Sequence, residues 1–178
     1  MQHDTTTDFW RYMSQKQKDL IHQGDFIRHE VIEEGKYNFD DYAFMVFPYA
    51  KAYEGFLKQL FKDIGFISES DYFSDHLRLG KLMSPNMIGK LGERSLYKKL
   101  INVGSRDLAD KIWDSWRNGR NRVFHYFPHN LEAISLDEAE EKKRMILESM
   151  EYAYNNLYPA DISNQKSAIG FQKPRSEI

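Results

Sequence analysis

The sequence predicts an all-α protein, an up-and-down helical bundle of four main helices with short extra helices. Apolar residues recur at helical spacing in most segments, capping residues precede these segments, and glycine or proline follows them. Hydrophobic residues make up 41% of the 178 residues and aromatic residues 15%, which is enough for one sizeable core. We therefore expect a single helical domain, without internal repeats.

The N-terminal part predicts one helix over residues 8–22, with Gly24 as its end. Residues 25–39 are ambiguous because apolar and charged side chains are interleaved there. A short strand and a loop both fit this pattern. We predict that residues 1–39 form an accessory segment ahead of the main domain.

The main domain is predicted to span residues 40–158 and to begin with an aromatic-rich core helix. Asp40 or Asp41 can cap the start of this helix, and Gly65 is its predicted end. Pro48 lacks a backbone donor, so we expect a kink or a delayed start near it.

Two shorter helical pieces are predicted next. The first runs over residues 72–83, behind a cap at Ser70 or Asp71, and Ser84-Pro85 ends it. The second is a compact piece over residues 91–103.

Two further main helices complete the predicted bundle. Ser105 can cap the first, which extends through an arginine-rich turn and ends at Pro128. Ser135 and Glu138 have the spacing of a capping box at the start of the second. Residues 159–178 have the composition of a flexible C-terminal tail.

The charge is unevenly distributed along the chain. The formal net charge is −2, yet residues 76–125 hold eleven Lys and Arg against four Asp and Glu, which leaves the rest at −9. A basic middle segment favours a polyanion site on one face. A solvated face whose counter-charges come from the terminal helices fits the same pattern.

Several classes of function are excluded by composition. Without cysteine, the chain has no disulfides, no thiol catalysis and no cysteine-ligated metal. Its longest apolar run is far below the roughly 18 residues of a membrane span, and its N-terminus lacks the pattern of a signal peptide. We expect a soluble, cytoplasmic protein that does not contact membranes.

The candidate site is the stretch over residues 117–127, which contains three arginines, two asparagines and a histidine. Arginine offers a planar fork of donors that matches phosphate oxygens. His125 can exchange a proton near neutral pH, and Asn121 can position an oxygen without adding charge. Because no carboxylate cluster or histidine pair with metal-ligand spacing accompanies them, we expect chemistry without a metal or cofactor.

The spacing within this stretch raises a geometric question. Asn121 and His125 are four residues apart and share one face of a regular helix. Arg120 precedes His125 by five residues and points about 140° away from it. Its side chain must wrap around, or Gly119 must loosen the helix, or a second copy of the chain must complete the site.

Two segments resemble the HEPN superfamily. Residues 120–125, Arg-Asn-Arg-Val-Phe-His, resemble its R-x4-6-H motif in the form that has a polar residue after the arginine. Residues 49–58, Tyr-Ala-Lys-Ala-Tyr-Glu-Gly-Phe-Leu-Lys, resemble the early HEPN helix, whose buried-side acid often faces the motif. The resemblance covers residues 40–158 and is greatest to the RNase LS (RnlA-type) toxin domain.

This resemblance implies an HEPN-like bundle that acts as a metal-independent endoribonuclease, a homodimer with both motifs in one cleft. His125 would help the ribose 2′-OH attack the adjacent phosphate, and Arg120 would stabilise the charge that develops on the phosphate oxygens. Asn121 would orient the scissile group, and Glu54 would hold Arg120 or His125. A toxin or antiviral-defence role follows, with RNA as substrate and a protein antitoxin or inhibitor as partner.

The predicted RNA-binding residues are cations near the motif or on an earlier helix: Arg117, Arg122, Lys98 and Lys99. Each prediction has a simpler alternative, in which these cations are solvated and Glu54 is a structural ion-pair partner. Trp113 and Trp116 fit the core or a dimer interface better than base stacking. The alternative function is a non-catalytic HEPN module that binds RNA, a nucleotide or a partner protein, followed by a purely structural interaction domain.

Overall fold

A computed structural model of the chain describes residues 3–35, 37–124 and 133–158. Within these residues every regular element is helical, which confirms the all-α prediction. The α-helices are α1 (Asp8–Tyr12), α2 (Gln15–Phe26), α3 (Ala43–Asp63), α4 (Glu69–Phe73), α5 (Leu79–Leu82), α6 (Ile88–Leu91), α7 (Leu96–Val103), α8 (Arg106–Trp116) and α9 (Leu136–Leu157). Two π-helices (Ile27–Glu33 and Arg117–Asn121) and two 3-10 helices (Pro85–Met87 and Gly92–Arg94) connect them.

The core is organised around α3, which packs against both α2 and α9. Tyr53 of α3 is fully buried, and its hydroxyl donates to the carbonyl of Ile112 at 3.0 Å and lies 2.8 Å from the hydroxyl of Ser149. Burial raises the pKa of Tyr53 above its ordinary value, so this phenol stays neutral. The hydroxyl therefore ties α3 to α8 and α9 directly behind the candidate site.

The N-terminal helices belong to the same core. Trp10 and Ile21 are buried, and α2 packs along α3. The single helix predicted over residues 8–22 is wrong, because a break at Met13 and Ser14 divides it into α1 and α2. Its predicted end at Gly24 is also wrong, because α2 continues to Phe26. A Cβ at Gly24 would lie 2.4 Å from the ring of Tyr49, so glycine permits close packing there.

The strand or loop predicted after α2 is also wrong, since residues 27–33 form a π-helix. A π-helix is rare and hard to recognise from the spacing of apolar residues, because its i→i+5 bonds follow a different period. The mixture of charged and apolar side chains in this π-helix therefore has the sequence pattern of an irregular segment.

The ends of α3 follow local chemistry. Asp41, one of the two predicted caps, accepts a hydrogen bond from the backbone N–H of Ala43 at 2.9 Å. The helix begins ahead of Pro48 and continues through it, so the start is not delayed. Gly65 follows its end with a φ of 75°, the left-handed conformation that favours glycine.

The helix predicted over residues 72–83 is wrong, because two short helices occupy this region. A capping box between Ser68 and Asp71 starts α4 earlier than predicted. The hydroxyl of Ser74 accepts from the backbone N–H of His76, a local bond that competes with helix continuation. The piece predicted over 91–103 is shorter, since α7 begins only after its cap, Ser95.

The predicted starts of the last two main helices are confirmed. Ser105 accepts from the backbone N–H of Leu108 at 3.1 Å, and Ser135 forms the predicted capping box with Glu138. The predicted end at Pro128 and the predicted tail over 159–178 lie outside the described residues. Among the helices that the structure describes, none has the length and apolar character that crossing a bilayer requires.

Candidate active site

The site is built on an ion pair between α3 and the second π-helix. Nη2 of Arg120 donates to Oε2 of Glu54 at 2.9 Å. Lys58, one turn further along α3, approaches the other oxygen of Glu54 at 3.6 Å. One carboxylate therefore serves two cations, and the cluster keeps one positive charge in excess.

The guanidinium of Arg120 is also held by an aromatic ring. Its central carbon lies 4.9 Å from the ring centroid of Trp116, a cation–π contact. Trp116 is buried, and a Cβ at Gly80 would come within 2.7 Å of its indole nitrogen. Glycine at this position lets the α5 segment pack closely against the indole that lies beneath Arg120.

The π-helix changes the geometry that a regular helix would impose on Arg120. The backbone N–H of Arg122 donates to the carbonyl of Arg117 at 2.9 Å, an i→i+5 bond. The helix is therefore wider here than an α-helix. Gly119 itself is buried against α9, where its Cβ would lie 2.9 Å from Ile146.

Two cavities meet at this ion pair, since Glu54, Arg120 and Asn121 line both of them. The larger one, the cationic cavity, has a volume of about 720 Å³ and is also lined by Arg78, Lys81 and Trp113. The smaller one, the aromatic cavity, has a volume of about 290 Å³ and is also lined by Phe47, Lys51 and Phe124. Arg120 and Asn121 thus stand on the ridge between two concave surfaces.

Three of the four residues predicted to be catalytic come together in the described structure. Glu54, Arg120 and Asn121 share the walls of both cavities, and Glu54 contacts Arg120 directly. His125 lies outside the described residues. Its position relative to Arg120 stays a prediction.

All four predicted RNA-binding cations are among the described residues, and none of them lines either cavity. Arg117 and Arg122 are exposed at the two ends of the second π-helix. Lys98 pairs with the carboxylate of Glu93. Nζ of Lys99 donates to the carbonyl of Phe66 at 2.7 Å, which anchors the segment after α3.

The predicted site omits several residues that either contact the ion pair or line the cavities. Lys58 could have been recognised, because its spacing of four from Glu54 on a helix is a standard ion-pair pattern. Arg78 and Lys81 reach the cavity only because the chain breaks between α4 and α5. Trp113 and Trp116 were interpreted as core or interface residues, and both line the cationic cavity.

The fold and site thus define an all-α bundle with a cationic cleft beside an Arg–Glu pair. The described residues contain no group of three or more His, Asp or Glu arranged to hold a metal ion. No protein-family model, no curated protein and no solved structure matches the chain.

Proposed function

We propose that the chain is a metal-independent endoribonuclease of the HEPN type, with a toxin or antiviral-defence role. The observation that carries the proposal is the guanidinium of Arg120, held by Glu54 on the ridge between two cavities. The same arginine opens the sequence pattern that His125 closes. A fixed cation at a concave surface suits charge that develops on a phosphate.

In the proposed reaction the ribose 2′-OH attacks the adjacent phosphorus. A bond forms between O2′ and phosphorus, and the bond from phosphorus to O5′ breaks. The proton of the 2′-OH is removed with the help of His125, and O5′ leaves as a hydroxyl after receiving a proton. The products are a 2′,3′-cyclic phosphate and a 5′-OH, and the proton lost by the 2′-OH balances the one gained by O5′, so the step needs no co-reactant.

Arg120 and Asn121 act on the phosphate in this proposal. Arg120 stabilises the negative charge on the non-bridging oxygens, because its donors are already oriented before the substrate arrives. Asn121 orients the scissile group from the same ridge. Glu54 is a positioning residue that holds the guanidinium.

A homodimer is part of the proposal, and an exposed aromatic pair beside the site supports it. Phe47 and Phe124 pack edge to face with ring centroids 5.4 Å apart, and they leave 52% and 39% of their surfaces exposed. Both line the aromatic cavity, so a second copy that covers them would extend the cleft. A protein antitoxin or inhibitor would block this cleft.

The experiment is cleavage of a single-stranded RNA in EDTA under single-turnover conditions, with the product ends identified by mass spectrometry. We expect His125→Ala to lose activity by about 10²- to 10⁴-fold and Arg120→Ala by about 10²- to 10³-fold. His22→Ala, which removes an exposed histidine that lines none of these cavities, is the matched control and keeps full activity.

Three outcomes contradict the enzyme proposal: equal activity of wild type and His125→Ala, activity that EDTA abolishes, and no cleavage by any dimeric sample. RNA or nucleotide binding that survives His125→Ala without any cleavage points to the non-catalytic module instead.

The dimer is tested by sedimentation equilibrium. We expect Phe47→Ser to raise the dimer dissociation constant about tenfold or more, since it removes an aromatic anchor. Phe73→Ser is the control, because Phe73 is exposed on α4 and lies outside both cavities. A monomeric wild type, or equal effects of the two substitutions, argues against this interface.

A further inference from the structure

A third cavity continues the cleft beyond the ion pair. It has a volume of about 360 Å³ and is lined by Asp71, His76 and Arg94 together with Arg78 and Lys81. Because Arg78 and Lys81 also line the cationic cavity, the two cavities adjoin. The aromatic cavity in turn shares Arg120 with the cationic cavity, and we call these three adjoining cavities the three-cavity groove.

Positive charge occurs at every junction of this groove. Arg78 and Lys81 stand between the outer and the cationic cavity, and Arg120 stands between the cationic and the aromatic cavity. Arg94 and Lys51 lie towards the two ends. Against these five cations the groove holds two carboxylates, Glu54 and Asp71.

The cations at the first junction have donors to spare. Nη1 of Arg78 donates to the carbonyl of Asp75 at 2.8 Å, which orients the guanidinium and leaves its other N–H groups for a ligand. Lys81 is exposed, and none of the ion pairs among the described residues includes it. An oxyanion is the ligand that two adjacent cations with unused donors prefer.

Aromatic surfaces accompany the cations. Trp113 and Trp116 line the cationic cavity together with three of the cations, and Trp113 is half-buried, whereas the Phe47–Phe124 pair is covered in the proposed dimer. Alternation of cations with aromatic faces is typical of grooves for single-stranded nucleic acid, where phosphates meet the cations and unpaired bases stack. In a duplex the bases are already stacked on one another and unavailable to these walls.

We propose that the three-cavity groove binds an extended single-stranded RNA, with one phosphate held by Arg78 and Lys81 and the scissile phosphate at Arg120. The proposal rests on the proposed function for the second phosphate only. Arg78 and Lys81 are substrate-binding residues outside the catalytic set, and they fix which nucleotide reaches Arg120.

The test measures binding with a probe that this reaction cannot cleave, a fluorescent 2′-O-methyl RNA of about 12 nucleotides. Because the probe lacks a free 2′-OH, its affinity is independent of catalysis. The variant Arg78→Ala/Lys81→Ala is compared with Lys90→Ala/Arg106→Ala, which removes the same charge from exposed positions outside the groove. Anisotropy is recorded over a series of salt concentrations, and circular dichroism checks that all variants are folded.

We expect Arg78→Ala/Lys81→Ala to weaken binding about tenfold. The slope of log K against log salt should fall in magnitude by about 0.7, the value for one lost phosphate contact on a single strand. The control should change affinity less than twofold and keep the wild-type slope. In cleavage of unmodified RNA, the same double variant should raise KM and leave kcat unchanged.

Equal weakening by the two double variants overturns the proposal, because affinity would then follow net charge alone. Competition by a duplex of the same sequence as effective as by the single strand also overturns it. If the probe binds as expected but wild type cleaves no RNA, the groove stands and the nuclease proposal fails. If RNA is cleaved but neither affinity nor KM responds to Arg78→Ala/Lys81→Ala, the nuclease proposal stands and the groove proposal fails.

Discussion

Two cavities of similar size lie on this bundle and have opposite charge. The one between α1 and α9, the acidic cavity, has a volume of about 610 Å³ and is lined by six carboxylates and two cations, Lys143 and Arg144. The cationic cavity has a volume of about 720 Å³ and is lined by three cations and one carboxylate. An RNA strand meets attraction at one cavity and repulsion at the other.

The difference arises from how the cations are paired. Lys143 is buried and has two carboxylates beside it, Asp25 at 3.6 Å and Glu140 at 3.4 Å. Arg120, by contrast, shares the single carboxylate of Glu54 with Lys58. Lys143, with two carboxylate neighbours, therefore stabilises the fold. Arg120, which shares one carboxylate, retains positive charge that can bind an anionic ligand.

The two π-helices repeat this contrast. Arg28, on the first, has two carboxylate partners, Glu33 at 2.7 Å and Glu140 at 2.5 Å. Arg120, on the second, has one shared partner and faces both cavities of the candidate site. An arginine on a π-helix thus stabilises the fold in the first π-helix and contributes to a binding surface in the second.

The largest effect is expected from Lys143→Met, which keeps the volume of the side chain and removes its charge. Asp25 and Glu140 would lose a buried counter-charge, so we expect a loss of about 3 kcal/mol in the free energy of unfolding, measured with urea. Arg144→Met is the control, because Arg144 is exposed in the same cavity, and it should stay within about 0.5 kcal/mol. A tolerated Lys143→Met would show that this pairing is not what stabilises the acidic side.

The next effect concerns the packing under the second π-helix. A methyl group at Gly119 would lie 2.9 Å from Ile146, so Gly119→Ala should cost about 1–3 kcal/mol and displace Arg120. Gly89→Ala is the matched control, since a Cβ at Gly89 has no heavy atom within 4 Å. Urea unfolding and RNA cleavage are measured together. If Gly119→Ala behaves like Gly89→Ala, the close approach to α9 does not position the site.

The sequence predicts the parts of this molecule that depend on local chemistry. The caps at Ser105 and Ser135 and the helix end at Gly65 follow from nearest neighbours, and all three are confirmed. Gly24 misled the prediction, because its role is a contact with Tyr49, a residue far away in sequence. Whether such a glycine ends a helix or permits a close contact depends on tertiary packing, which local helix propensity does not reflect.

The candidate site also contains residues that the sequence predicts and residues that only the fold reveals. Glu54, Arg120 and Asn121 were predicted from motif resemblance, and the structure brings them together. Arg78 and Lys81 were missed as cavity residues because the breaks around α5 depend on bonds such as that at Ser74. Charge counting locates the basic segment, but only the fold decides which of its cations lie in the cleft.

A smaller effect, on activity, is expected from Glu54→Gln. The amide keeps a hydrogen bond to Arg120 but no longer neutralises it, so the guanidinium is held less firmly and the cleft becomes more positive. We expect kcat to fall about tenfold while KM falls or stays unchanged, because RNA binding gains from the lost negative charge. Glu93→Gln, which removes an exposed carboxylate outside the cavities, is the control. A rise in KM with unchanged kcat would place Glu54 in substrate binding.

The smallest effect is a dependence of stability on acid pH that belongs to the network beside the acidic cavity. Burial raises the pKa of Asp25, but hydrogen bonds from His3 at 2.7 Å and Tyr49 at 2.7 Å outweigh it, so the pKa lies below its ordinary value of about 3.9. The unfolded chain therefore binds the proton more readily, and the contribution of Asp25 is present above pH about 4 and lost below it.

Asp25→Asn should accordingly flatten the decline of unfolding free energy between about pH 5 and pH 2. Asp19→Asn, which changes an exposed aspartate on the same helix, should keep the wild-type slope. Urea titrations at each pH give both curves. Equal slopes for the two variants would mean that the Asp25 carboxylate adds no pH-dependent stability. The contrast between the two cation clusters would then depend on Lys143 alone.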